Sequence, residues 1–324
     1  MEIKENPMTC LRCKHGTAKR FGTYGSRRIQ RFRCRSCKAT FSLPQEKPLG
    51  GHYVSLEKAA QIVSLLVEGV SVRGVARITG VNRNTILSLL LTIGENCRRV
   101  FDKHVRWMRP RFVQADELWC FIHTKQARLA PDAPKEWGDA YTFLALDAET
   151  KLILSYHIGK RDGENALAFI GDLNRRIDAA WRCQITTDGF KPYIGAIEEH
   201  FGANVNFAQL VKIYGRPEGE APDWYAPVQV LDAIPMVVSG NPDIRRICTS
   251  HIERSNLTVR MHLRRFTRLT NGFSKTAMHL KAAVALFAAW YNFSRVHQTL
   301  RVTPAMEAGI VDHVWTIQEL LTNA

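Results

Sequence analysis

RFVQADELWCFI, residues 111–122, and TSHIERSNLTVRMHLRRF, residues 249–266, decide how this chain is read. The first is rich in β-branched and aromatic residues and carries Asp116 in its interior, so it predicts a strand bearing an acid. The second has helical periodicity, with Ser250 as N-cap and Glu253 in the first turn. At 100° per residue, Arg260 and Arg264 fall about 20° to either side of Glu253. Ile252, Val259, Leu263 and Phe266 form a separate apolar stripe that would pack on a sheet. One edge of this helix thus joins a carboxylate to two cations, which is what a metal ligand beside bound phosphate requires.

Between the two stretches the pattern predicts strands at 141–146 and 152–157, joined by a hairpin turn over DAETK. A helix at 164–177 follows, then a strand at 184–187 ending at Asp188-Gly189, and a helix at 192–201. Three strands, helix, strand, helix and a later helix is the element order of the RNase H-like fold, which sets the strands of Asp116 and Asp188 side by side in a mixed sheet. Taken singly, Asp116-Glu117 reads as a surface pair, Asp188-Gly189 as a turn and Glu253 as a solvated helix charge. Their combination reads as an oxygen-only ligand set for Mg2+ or Mn2+. Two such ions about 4 Å apart activate an oxygen nucleophile and stabilise a leaving oxygen in phosphodiester cleavage. In this reading Asp116 bridges both ions, and Asp188 and Glu253 hold one each. Glu117 is expected to point away from Asp116, because successive strand residues alternate. Asp147 and Glu149 read as turn residues.

The N-terminal segment 1–45 carries Cys10, Cys13, Cys34 and Cys37, two C-x2-C pairs. Each pair makes a tight knuckle, and two knuckles supply four thiolates for one structural Zn2+ in a zinc ribbon. So short a segment builds no core of its own, so the metal would supply folding free energy. Arg27, Arg28, Arg31 and Arg33 lie between the knuckles, interleaved with Ile29 and Phe32, and read as phosphate contacts. The alternative is a zinc knob whose charges are merely solvated. Pro44, Pro48, Gly50 and Gly51 mark a linker. Residues 52–108 then read as a helix-turn-helix domain. Its first helix carries Leu56, Ala59, Ala60 and Val63 on one face. Ser71 caps the second helix, Gly80 makes the turn, and Asn82 caps the third. In that motif the third helix enters the major groove with its N-terminus foremost, so Arg83, Asn84 and Thr85 are candidate base readers.

The whole is therefore expected to be a multidomain α/β protein: zinc ribbon, helix-turn-helix, and an RNase H-like mixed-sheet domain over 109–324. That last domain would include an insertion at about 215–248 and C-terminal helices. Trp224 and Tyr225 in the insertion are candidates for stacking on bases or for packing. Lys and Arg outnumber Asp and Glu by 45 to 30, and the net charge of +15 favours a polyanionic partner over a merely basic enzyme. A second basic cluster, which includes Arg264, Arg265 and Arg268, spans 254–275 without an acid. The N-terminus shows no secretion signal, and the apolar runs at 87–93 and 282–293 are too short to cross a bilayer. A cytoplasmic location is expected, with Cys97, Cys120, Cys183 and Cys248 as small buried residues.

At DELWCFI, TTDGFKPY, HIERSNLTVRMHLRRFTRLTNGFSK and WYNFSRVHQTLRVTPAMEAGI, the sequence resembles the transposases of the insertion-sequence-one family, within the DDE superfamily. The resemblance implies Asp116, Asp188 and Glu253 as the acidic triad and Arg260 as a basic residue near the scissile phosphate. It further implies binding of double-stranded DNA, both terminal inverted repeats and target, and action as a homodimer or larger assembly. Two other readings stay open: a DNA-binding regulator that has lost catalysis, and a host nuclease of the same fold.

Overall fold

The computed structural model describes residues 8–24, 28–42, 49–215, 229–268 and 270–323. Arg27, Pro44, Pro48, Trp224 and Tyr225 lie outside the described residues, as does 216–228 of the expected insertion. The chain divides into two units, Met1–Lys47 and Pro48–Ala324.

The first unit is a three-stranded antiparallel sheet of β1 (Ala18–Tyr24), β2 (Ile29–Cys34) and β3 (Thr40–Ser42), in that order. Phe32 is buried and stacks on Phe41, with ring centroids 5.9 Å apart. Little else of its apolar surface is covered, so this sheet needs another source of stability.

The second unit opens with α1 (Leu56–Val67), α2 (Val72–Thr79) and α3 (Arg83–His104). Ser55, Ser71 and Asn82 each accept a hydrogen bond from a backbone N–H of the first turn they precede. Gly80 takes the left-handed conformation that stops α2. The mixed sheet comprises β4 (Phe112–Ile122), β5 (Gly138–Asp147), β6 (Ile153–Gly159), β7 (Cys183–Asp188), β8 (Val205–Gly215) and β9 (Gln229–Ser239), ordered β6-β5-β4-β7-β8-β9. β7 pairs in parallel with β4 and β8, and the other pairings are antiparallel. α4 (Gly163–Arg176) and α5 (Pro192–Phe201) connect β6, β7 and β8. α6 (Ser250–His262), α7 (Ala277–Phe293), α8 (Pro304–Glu307) and α9 (Ile317–Thr322) follow the sheet. This arrangement is consistent with an RNase H-like core.

Four features differ from expectation. The flanks of the 215–248 stretch are strands: β8 runs to Gly215 and β9 pairs along it, so the sheet gains an edge strand. α6 ends at His262, and Arg264 sits in a separate 3₁₀ turn, Arg264–Phe266. The residue before α6 is Thr249, without a side-chain cap, so Ser250 is inside the helix. Finally, α1–α3 share one continuous core with the sheet, where a division at 108 was expected.

That continuity has identifiable contacts. The second half of α3 lies on α7 so closely that a Cβ on Gly94 would sit 2.5 Å from Ala282 Cα. Arg176 on α4 reaches Asp102 on α3 at 2.7 Å. His262 Nδ1 donates to the Val67 carbonyl at 2.8 Å, and Gly69, with φ +75°, leaves room for the Met261 carbonyl. An alanine in a helix interior ordinarily gains about 1 kcal/mol over glycine. Gly94→Ala is expected to do the opposite and cost about 1–3 kcal/mol by overpacking against backbone, measured by urea unfolding.

Candidate functional site

Parallel pairing builds the site. The last matched pair of β4 and β7 is Ala115 with Thr187, so Asp116 and Asp188 follow side by side. A turn secures Asp188: its Oδ1 accepts from Phe190 N–H at 3.1 Å, and buried Gln209 donates to the Asp188 carbonyl at 2.8 Å. Asp116 Oδ1 accepts from Glu117 N–H and Oδ2 from Asn256 Nδ2, both at 2.8 Å.

Glu117 completes a cluster that sequence reasoning assigned elsewhere. Carboxylate oxygens of Asp116, Glu117 and Asp188 all lie within 4.8 Å of one another. Alternation sends the Glu117 side chain toward α5, where it influences Tyr193, but its tip still meets the strand end. Arg161 joins the group, donating to Glu117 at 2.9 Å and to Asp188 at 3.4 Å, with its guanidinium over the Phe190 ring. Burial, then the charges of Asp188 and Glu117, push the Asp116 pKa up to about 7. Burial and Asp188 also raise Glu117.

Glu253 is not a member of this cluster. It lies in the first turn of α6, exposed, where Thr249 Oγ1 donates to it at 2.5 Å and Lys212 of β8 forms an ion pair with it. The link to the acids is indirect: Asn256, three residues on, holds Asp116, and Lys212 acts electrostatically on both Glu253 and Asp116. Arg260 is half-buried and donates to the Phe266 carbonyl at 3.1 Å, and burial lowers its pKa.

The position of α6 is set by Gln114, two residues before Asp116 on the same strand face. Its buried Oε1 accepts from His251 N–H at 2.9 Å and Ile252 N–H at 3.1 Å, and its Nε2 donates to Cys248 Sγ at 3.1 Å. A strand residue therefore caps the helix, which is why Ser250 is free to lie within it. Cys248 is consequently a hydrogen-bonding partner, whereas Cys97, Cys120 and Cys183 are buried.

The acidic cluster suits a hard cation. Among the described residues, the buried Glu117 Oε1 of the cluster and the neighbouring Asn256 Oδ1 have no hydrogen-bond partner, and the cluster's ligand atoms are all oxygen. The cysteines of the N-terminal unit form the other candidate centre. Cys10 and Cys37 sulfurs are 3.7 Å apart and those of Cys13 and Cys34 3.6 Å. A tetrahedral zinc with bonds of about 2.3 Å has edges of about 3.8 Å, so four thiolates here fit Zn2+. Backbone N–H groups of Cys37 and Ser36 help pull the Cys34 thiol down to about 6.

The remaining candidates are dispersed. Arg28 and Arg33 are exposed on the small sheet, and Arg31 donates to Thr40 at 2.7 Å. Arg83 and Asn84 are exposed at the start of α3, with Thr85 half-buried. Arg264 and Arg268 are exposed, while Arg265 turns inward to Ser274.

No family model and no curated protein matches the sequence. Among solved structures the chain is similar to a piggyBac transposase in a synaptic complex with hairpin DNA. That match has 11% identity, covers 83% of this chain and 69% of the other, and has a TM-score of 0.43. A Mos1 strand transfer complex matches at 14% identity over 51% of this chain and 60% of its own, with a TM-score of 0.22. A Mos1 transposase paired-end complex with the left transposon end matches at 12% identity over 51% and 62%, also with a TM-score of 0.22. Thus the chain spans about three fifths of the Mos1 chains. Among the described residues, no helix is long and apolar enough to cross a membrane.

Because Gln114 carries the docking of α6, Gln114→Leu is expected to cost about 2 kcal/mol, leaving two helix N–H groups unpaired. Hydrogen exchange at His251 and Ile252 should accelerate in that variant, with exchange in β4 and β7 unchanged.

Proposed function

We propose that this chain is a DNA transposase of the DDE type, acting on the terminal inverted repeats of an insertion sequence. The single observation that carries the reading is the convergence of Asp116 and Asp188 at the ends of paired parallel strands, with α6 lying against Asp116. Asp116 and Asp188 would hold two Mg2+ or Mn2+ ions, with Glu253 as the third acid once Lys212 releases it. When bound, such ions activate an oxygen nucleophile and stabilise the leaving oxygen of a phosphodiester.

The chain's own groups do the rest. Asn256 and the Glu117 N–H fix the orientation of Asp116. Arg161 restrains Asp188 through its second contact with Glu117. Arg260 follows Asn256 by one turn of α6, where a cation would meet a DNA phosphate. The proposed reaction is hydrolysis at an element end, then attack of the freed 3′-hydroxyl on a target strand. The helix-turn-helix would read the end sequence through Arg83, Asn84 and Thr85. The ribbon, with one structural Zn2+ on Cys10, Cys13, Cys34 and Cys37, would hold phosphates through Arg28, Arg31 and Arg33. Arg264 and Arg268 would extend the DNA surface, with Arg265 turned inward behind them, and a dimer or larger assembly would join two ends.

Labelled end DNA with Mg2+ tests the assignment. Asp116→Asn and Asp188→Asn should abolish cleavage, and Glu253→Gln should lower it on the order of 100-fold or more. Cleavage that survives Glu253→Gln but not Glu117→Gln moves the third acid to Glu117. Cut products without joined products identify a nuclease, and binding without either identifies a regulator.

The raised Asp116 pKa fixes a pH dependence. Near pH 6 Asp116 is largely protonated, and a divalent cation must displace that proton. Mn2+ affinity by calorimetry should therefore fall about tenfold per pH unit below 7 and level off above it. The sign for metal-free stability is opposite to that of an ordinary ion-paired carboxylate. The folded chain takes up a proton here, so this group's contribution to stability declines as pH rises from about 4 to about 7.

A further inference from the structure

β4 continues past the acids to the rim of a cavity of about 660 Å³. Three aromatic residues, Trp119, Phe121 and Phe273, and three cations, Arg128, Arg265 and Arg268, are among its lining, and none of the lining residues is acidic. The Phe121 and Phe273 ring centroids are 4.5 Å apart, and those of Trp119 and Phe121 5.8 Å. The cavity is of the size that holds small ligands, roughly 300–1,000 Å³, and far exceeds one phosphate.

Arg265 is the informative member. It is part-buried, its Nη1 donates to Ser274 Oγ at 3.0 Å, and no carboxylate pairs with it among the described residues. Burial alone pulls its pKa down to about 10, with no acid countering it. A guanidinium removed from water without an anion costs free energy, and here it faces an open cavity. The cavity adjoins the catalytic flank. Cys120 and Arg268 line it, and both interact electrostatically with Arg260, one turn beyond the Asn256 that holds Asp116. Trp119 and Phe121 lie about 10–17 Å along β4 from Asp116.

We propose that this cavity takes one unpaired nucleotide, its base against the aromatic rings and its phosphate on Arg265 and Arg268. A phosphate alone leaves the aromatic lining unused. An apolar ligand leaves Arg265 unpaired. A nucleobase offers a π-face to the rings and brings the anion with it. The shared chemistry is that of a nucleotide, whether displayed on a DNA strand or free in solution.

The test uses the full chain in EDTA, so that no cleavage intervenes. Two labelled duplexes are compared by anisotropy: one with a single bulged adenine, the other with an abasic residue at the same place. The base-bearing duplex should bind about tenfold more tightly. Arg265→Met and Phe273→Leu should each erase that difference. Arg265→Met should leave the melting temperature unchanged or raised, because it removes a part-buried charge that no carboxylate among the described residues pairs. Competition by dAMP assigns the site to free nucleotides, and its failure assigns the site to a strand. Equal binding of the two duplexes overturns the proposal. So does competition by inorganic phosphate alone, a base preference that survives Arg265→Met, or a fall of several degrees in that variant's melting temperature. Asp116→Asn should retain the base preference, so failure of the catalytic reading and failure of this one are separable.

Discussion

Backbone pairing between β4 and β7 imposes the constraint on which the rest of the site depends. Adjacent strands lie about 4.8 Å apart whatever charges they carry at their ends. The register that matches Ala115 with Thr187 therefore forces Asp116 and Asp188 together against their repulsion. Part of the cost appears in Asp116, whose pKa burial first, and then the charges of Asp188 and Glu117, lift to about 7. Two cations sit around the group, but each bonds to another acid: Arg161 to Glu117 and Asp188, Lys212 to Glu253. Asp116 itself accepts only from neutral N–H donors among the described residues. A buried core on both faces of the sheet holds this unfavourable charge in place, and on the proposed reading a bound cation would relieve it.

The same strand also places the helix. Gln114 and Asp116 point to one face of β4; Gln114 caps α6 and Asp116 receives Asn256 from it. Sliding α6 by one turn would break both links at once. The helix is thus registered to the acid rather than merely packed over it. Glu253 occupies the exposed side of the first turn, where Lys212 neutralises it. A cation able to outbid one ammonium would find Glu253 already within a helix fixed to the site.

Local signals made much of this legible. The strand around Asp116, the turn at Asp188-Gly189, and the caps Ser71 and Asn82 each depend on neighbours a few residues away. Gln114 was not legible, because its partners lie 137 and 138 residues on. Glu117 escaped for a different reason: alternation predicts where Cβ points, not where a long side chain ends. Lys212 and Arg161 are single cations in ordinary surroundings, given meaning only by which acids the sheet brings to them. Asn256 was the nearest miss, since three residues after Glu253 is a helical neighbour. Arg264 was placed on the helix because no glycine or proline announces its end. The chain stops there by turning Leu263 and Phe266 inward, a tertiary decision.

α3 ties the two ends of the second unit together. Its 22 residues make a rod of about 33 Å. Arg83 and Asn84 are exposed at its start, while its second half is locked between α7 at Gly94 and α4 at Asp102. A binding helix carried on a flexible linker would leave the scissile bond to chance. In the proposed transposase, the helix that would read DNA is the helix that the sheet and α7 pack upon, so a groove engaged at Arg83 and Asn84 would have a fixed bearing on Asp116. On the proposed reading, the close approach of Gly94 to Ala282 is what converts recognition of an end into the position of the cut.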